Sequence, residues 1–300
     1  MTKSKENDNG RYFEFLLTQK LIEKFKVQLT SRAKKDQERD NRKEIPKKTH
    51  KEMLDAVDRI SSWIGKHFSS VEKSTLDRHP DKEKNKKSHE DISLTDSKRN
   101  CFSFSLKHNH EAIFHGRITS CINWLGIKKE SSMFKKYDFR KKQIISDLHE
   151  IIPLETEFAD KGIKPMYQSC WSNFIKKLHE NAKECLLHAN TKPLYLDNLF
   201  NTIIGRGSGQ YRILKIKKKI IVQNLINLKS PSLLKVENIQ KITKDKRSMY
   251  VWYLVLKFNN GITIEGRNKQ DSTKMAITPK IKSDWQVVDW GNSGMKEQEI

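Results

Sequence analysis

Across 300 residues, 59 Lys plus Arg stand against 37 Asp plus Glu, a formal net charge of +22 at pH 7. An excess of that size attracts a polyanion, with part of the affinity from counterion release, so nucleic acid is favoured over a solvated basic protein or an anionic membrane surface. No apolar run nears the roughly 20 residues that span a bilayer, and the start, MTKSKENDNG, lacks the apolar core of a secretory signal. Cys101, Cys121, Cys170 and Cys185 are widely spaced and form no close pair or metal knuckle, which predicts reduced thiols and a cytoplasmic protein.

The length allows one large domain or two smaller ones. Phe15, Leu16, Leu21, Ile22 and Phe25 predict a helix over Arg11 to Phe25, with Glu14 beside its apolar face. Lys26 to Lys51 is crowded with charge and reads as a solvated excursion or a flexible arm. Met53, Leu54, Val57, Ile60, Trp63, Ile64 and Phe68 mark a second amphipathic helix. Ser74 to Glu90 is polar, with Pro80 as a breaker.

The run Asp91 to Lys107, DISLTDSKRNCFSFSLK, reads as two alternating strands joined by a polar turn at Asp96 to Asn100. Alternation sets Cys101, Ser103, Ser105 and Lys107 on one face and Phe102, Phe104 and Leu106 on the other. The hairpin therefore brings a carboxylate and an ammonium to one sheet edge, a pair suited to hydrolysing a phosphate backbone. Asp91 would ligate a hard divalent cation, and Lys107 would orient water or balance phosphorane charge. The competing readings are a strand-edge carboxylate and an ordinary charged strand end.

Helical patterns follow over Ser120 to Leu125, Phe139 to Glu150 and Trp171 to Leu187. Ile151 to Pro165 reads as a connection. Composition shifts near Gly205, where GRGSGQYRILKIKKKIIVQNL passes from a glycine-rich turn into apolar/basic alternation. Gly205, Gly207 and Gly209 precede a strand, so they are a turn and not a nucleotide-binding fingerprint. Met249 to Phe258 is the strongest strand, Asn259, Asn260 and Gly261 a tight turn, and Ile262 to Arg267 the returning strand. The expected division is a core with helical insertion over residues 1–200 and a β-rich region over 201–300.

Basic and polar residues beyond the hairpin supply candidate DNA contacts. Asn109 suits a base edge or phosphate, and Arg117 a bidentate phosphate or guanine contact. His110 and His115 would meet phosphate when protonated, or cap nearby structure. His108, Asn109 and His110 spell HNH, but that nuclease motif draws its residues from separated positions; zinc ligand spacing is also absent. Arg206, Arg212, Lys215, Arg267, Asn268 and Lys269 fit a groove-facing surface, or for most of the lysines a solvated one.

The segments GRYFEFLLTQKL, DISLT and FSFSLKHNHEAIFHGR, continued by GRGSGQYRILKIKKK and FNNGITIEGR, resemble the PD-(D/E)xK nuclease superfamily, and more narrowly a type II restriction endonuclease of the HaeIII kind. The resemblance implies a mixed α/β sheet flanked by helices. It also implies magnesium-dependent, sequence-specific cleavage of duplex DNA, leaving 5′-phosphate and 3′-hydroxyl ends, with GGCC as a target. It places the family aspartate on Asp91, the lysine on Lys107 and the helix-borne glutamate on Glu14. A homodimer and a cognate DNA methyltransferase as genetic partner are compatible with it. The chain departs from the motif at Ser105, where the acidic residue two places before the lysine is expected. Glu14, or Glu111 after a sharp turn, would have to supply the second metal carboxylate. The alternatives are a structure-selective repair or junction nuclease and a non-catalytic DNA-binding protein.

Overall fold

The computed structural model describes residues 3–41, 45–68, 71–79, 90–108, 113–156, 165–205, 210–242, 250–270, 275–279 and 281–300. In chain order the first elements are α1 (Lys3–Phe25), β1 (Gln28–Leu29), α2 (Ser31–Asp40), α3 (Lys47–His67), β2 (Thr75–Arg78), β3 (Ile92–Thr95) and β4 (Cys101–His108). Then come β5 (Phe114–Gly116), a 3₁₀ turn over Ile118–Leu125, α4 (Ser132–Ile151), α5 (Gln168–Leu187) and α6 (Pro193–Ile204). The remaining strands are β6 (Gln210–Ile216), β7 (Lys219–Asn224), β8 (Leu234–Ile242), β9 (Tyr250–Phe258), β10 (Thr263–Gln270), β11 (Ile281–Asp289) and β12 (Lys296–Glu299).

Two compact units result, a mixed α/β architecture with two sheets. The first joins Met1–Glu111, Gly205–Leu228 and Gly294–Ile300. Its seven-stranded sheet has the order β1-β2-β3-β4-β6-β7-β12. The β1–β2 and β4–β6 pairs are parallel and the others antiparallel. Period-two alternation gives this sheet two unlike faces. Leu76, Ile92, Leu94, Phe104, Leu106, Ile213 and Val222 share one buried cluster with the helices. There α1 contributes Phe13, Leu17 and Leu21, and α3 contributes Met53, Val57, Ile60 and Ile64, each set at helical spacing. Each such side chain contributes about 1.5–3 kcal/mol on burial. The other face is polar: Ser93, Ser103, Ser105, Gln210, Arg212 and Gln223 are all buried there.

This unit departs from the sequence expectation in three places. The charged stretch after Lys26 contains α2, capped by Thr30, whose hydroxyl accepts from Ala33 N. The buried positions of α2 are Ala33, Asp36, Gln37 and Asp40, so its inward face is polar and carries no apolar period. The polar stretch after Ser74 contains β2, although residues 80–89, with Pro80, lie outside the described residues. Finally, β6, β7 and β12 join the first sheet, so the units are interleaved along the chain and not cut once near residue 200.

The second unit joins Ala112–Ile204 and Lys229–Ser293. Its five-stranded antiparallel sheet has the order β5-β11-β10-β9-β8. The β9–β10 hairpin forms where expected. Gly261 turns it with φ 92°, and a Cβ there would meet Asn292 N at 2.8 Å, so the position requires glycine. Phe200 packs edge-on against Phe258 at 5.2 Å, and Trp124 against a fully buried Trp285 at 5.4 Å. Among the described residues no helix is long and apolar enough to cross a membrane.

Candidate functional site

The β3–β4 hairpin sets the candidate site. Ile92 pairs with Phe104, and Asp91 N donates to Phe104 O at 2.8 Å. The β3 strand starts at Ile92, one residue after Asp91, and Asp91 Oδ2 accepts the Leu106 backbone N–H at 2.6 Å. The same oxygen accepts from Ser105 Oγ at 3.3 Å. Asp91 is 4% exposed, so this carboxylate is fixed by a buried N–H and a hydroxyl. Lys107, two residues beyond Ser105, is half-buried and its ammonium has no hydrogen bond or ion pair among the described residues.

Strand register extends the polar face from this point. Ser105 lies opposite Arg212 of β6, and Arg212 opposite Gln223 of β7. Arg212 Nη1 donates to Gln223 Oε1 at 3.2 Å, and Gln223 Nε2 to Glu297 Oε2 at 2.9 Å. Burial of the Arg212 guanidinium lowers its pKa to about 10. A cation thus sits next in register to the position where the PD-(D/E)xK pattern expects a carboxylate.

Arg212 and Lys215 are therefore not on an exposed groove surface. Arg212 is 3% exposed and Lys215 is 2% exposed, both drawn inside because β6 is an interior strand. Lys215 Nζ donates to Lys217 O at 2.9 Å and lies 3.9 Å from Glu52 Oε2; burial lowers its pKa and Glu52 opposes the shift. His108, opposite Lys215, has its pKa lowered to about 4 by burial and then by the Lys215 charge.

Glu14 is brought to a different set of partners. Arg78 is 1% exposed, and its Nη2 donates to Glu14 Oε2 at 3.1 Å and to Asp40 Oδ2 at 2.8 Å. Its Nη1 donates to Gln37 Oε1 at 2.9 Å. Arg39 completes a two-pronged grip on Asp40 through Nε and Nη2. Burial raises the Asp40 pKa, but Arg39 and Arg78 more than offset it, and the net shift is downward. Arg78 is opposite Ile92 in register, on the helix-covered side, whereas Asp91 reaches Ser105 on the polar side.

Of the remaining candidates, Arg117 is exposed just before the 3₁₀ turn, and Arg267 is half-buried on β10 opposite Asp284. Asn109, His110, Glu111 and Arg206 lie outside the described residues, as do the side chains of His115, Asn268 and Lys269. The sequence reading missed Arg78 and Asp40, because each lies among other charges and nothing in the local pattern marks it as buried. It also passed over the basic run KKYDFRKK of α4 as an ordinary helix.

One Asp91 oxygen and the Ser105 hydroxyl do not make a closed metal cage. Among the described residues no group of three or more His, Cys, Asp or Glu is placed to hold an ion. The donors fit a magnesium ion that keeps several waters and borrows substrate phosphate oxygens, which needs only one or two protein carboxylates. No protein-family model, curated protein or solved structure matches the chain.

Proposed function

We propose that the chain is a magnesium-dependent nuclease that hydrolyses duplex DNA, of the PD-(D/E)xK kind, with its chemistry at the β3–β4 hairpin. The observation that carries this reading is the Asp91 carboxylate fixed against Ser105 and Leu106, one residue before Lys107, whose ammonium has no partner among the described residues. The net charge of +22 supports a polyanionic substrate.

In this reading Asp91 holds the cation, which would polarise the scissile phosphate and acidify its bound water. Asp91 suits that role because Leu106 N–H fixes its orientation before substrate arrives. Lys107 lies against the phosphate, where its charge offsets the negative charge that builds as water attacks. Ser105 donates a hydrogen bond to Asp91 and contributes no charge. Glu14 is held by Arg78 on the helix-covered side of the sheet, opposite to Asp91, so it takes no part in holding this cation. Single-turnover cleavage of a long unmethylated duplex tests the reading: Asp91→Ala and Lys107→Ala should each abolish most cleavage while DNA binding survives.

A second reading, a non-catalytic DNA-binding protein, is favoured by Ser105 and by the absence of a carboxylate cluster among the described residues. It predicts DNA binding with no cleavage at any magnesium concentration.

A further inference from the structure

We propose that the outer face of α4 is a docking surface for unpaired DNA, with phosphates on its cations and a base stacked on Phe139. The helix is capped by Ser131, whose hydroxyl accepts from Phe134 N. Its inward face buries Tyr137 and Leu148. The outward face carries Lys135, Phe139, Lys142 and Ser146, spaced so that they fall in one stripe. Lys136 and Arg140 flank the stripe, and Lys128 and Lys129 precede the helix, all exposed.

Phe139 is 67% exposed, a large apolar ring in the middle of a cationic stripe. Its neighbours are only partly neutralised. Glu184 is shared between Lys136 and Arg140, and Asp138 between Lys141 and Lys142. Lys128, Lys129 and Lys135 have no carboxylate partner among the described residues. The surplus charge is therefore available to a polyanion.

The aromatic ring selects among polyanions. A basic groove that tracks phosphates while an exposed ring stacks on bases is the pattern of single-strand binding; a duplex hides its base faces. A membrane surface would need a broad apolar face turned outward. On α4 the buried positions, Tyr137 and Leu148, point inward, and the basic half exposes one large apolar ring, Phe139.

The test uses the full chain and a labelled 20-nucleotide oligothymidylate, with binding followed by anisotropy in excess chelator so that cleavage cannot contribute. Phe139→Ala should weaken binding by roughly 5- to 150-fold, and Phe139→Trp should restore it, while Phe139→Leu should not. Lys135→Gln, Arg140→Gln and Lys142→Gln together should flatten the logarithmic salt slope by about 2, at roughly 0.7 per phosphate contact on a single strand. Unchanged thermal melts would show that these exposed changes leave the fold intact. The proposal is overturned if wild-type protein does not bind the oligonucleotide, or if Phe139→Ala binds as wild type. It is equally overturned if Phe139→Ala weakens binding of a blunt duplex of the same length as much as binding of the single strand, or if phosphatidylserine vesicles compete better than the single strand. None of these results depends on whether Asp91 supports cleavage.

Discussion

Replacing Arg78 by methionine should open the first unit locally at a cost of about 3 kcal/mol. Methionine fills much of the stem volume, so the change isolates the guanidinium. Arg78 is 1% exposed and Asp40 is fully buried, so removing one leaves the other without part of its compensation in a medium that screens poorly. Breaking a buried pair destabilises by roughly 3–5 kcal/mol; the low end applies because Arg39 still holds Asp40 by two hydrogen bonds. The Glu14 arm adds little, since its side chain is 19% exposed and partly screened by solvent. Hydrogen exchange read by mass spectrometry localises the effect. Peptides from α2 and β2 should exchange on the order of 100-fold faster, while those from β9 in the second unit stay unchanged. The pH dependence has a defined sign. The folded pKa of Asp40 is depressed, so its contribution is present above the unfolded value and lost as pH falls through the folded one. The gap between wild type and Arg78→Met should therefore begin to narrow as pH falls below about 4 and close only below the depressed folded value. Acceleration of less than about fivefold, or equal acceleration in both units, would refute the reasoning.

Ser105→Asp should restore the missing negative charge beside Asp91. Without magnesium it places two carboxylates together at a site where Ser105 is 1% exposed, so the melting temperature should fall; magnesium should recover it, and cleavage should half-saturate at lower magnesium. A melt indifferent to magnesium would exclude a cation there. The thiols should separate by reactivity: exposed Cys101 reacts promptly with a thiol reagent, whereas Cys121 and Cys185 react only on unfolding. The Cys185 thiol is pushed up by its hydrogen bond with Cys121 and by burial, so prompt modification of both would contradict the packing around Tyr137.

The Asp91–Lys107 hairpin was legible because local signals agree there. Two alternating runs flank Asp96, whose Oδ1 accepts the Asn100 N–H at 2.8 Å and closes the turn. The β9–β10 hairpin was legible for the same reason, through its strong strand and Gly261. By contrast α2 was hidden because its inward positions are Asp36, Gln37 and Asp40, and Gln37 and Asp40 find partners distant in sequence. Alternation announced β6 as a strand but not its partner, since parallel pairing with β4 is a long-range choice. That pairing buries Arg212 and Lys215, which composition alone reads as surface cations. The spacing of Asp91, Ser105 and Lys107 fixed a face from period two, but the partner of Glu14 depends on how α1 meets β2.

The central claim is tested most directly by single-turnover cleavage of a long unmethylated duplex, with both cut strands mapped, by wild type and Asp91→Ala at equal bound fraction. The account predicts magnesium-dependent cuts by wild type, abolished by chelator, with 5′-phosphate ends, and a cleavage rate near background for Asp91→Ala. Undiminished cutting by Asp91→Ala, or wild-type cutting that persists in excess chelator, would contradict it.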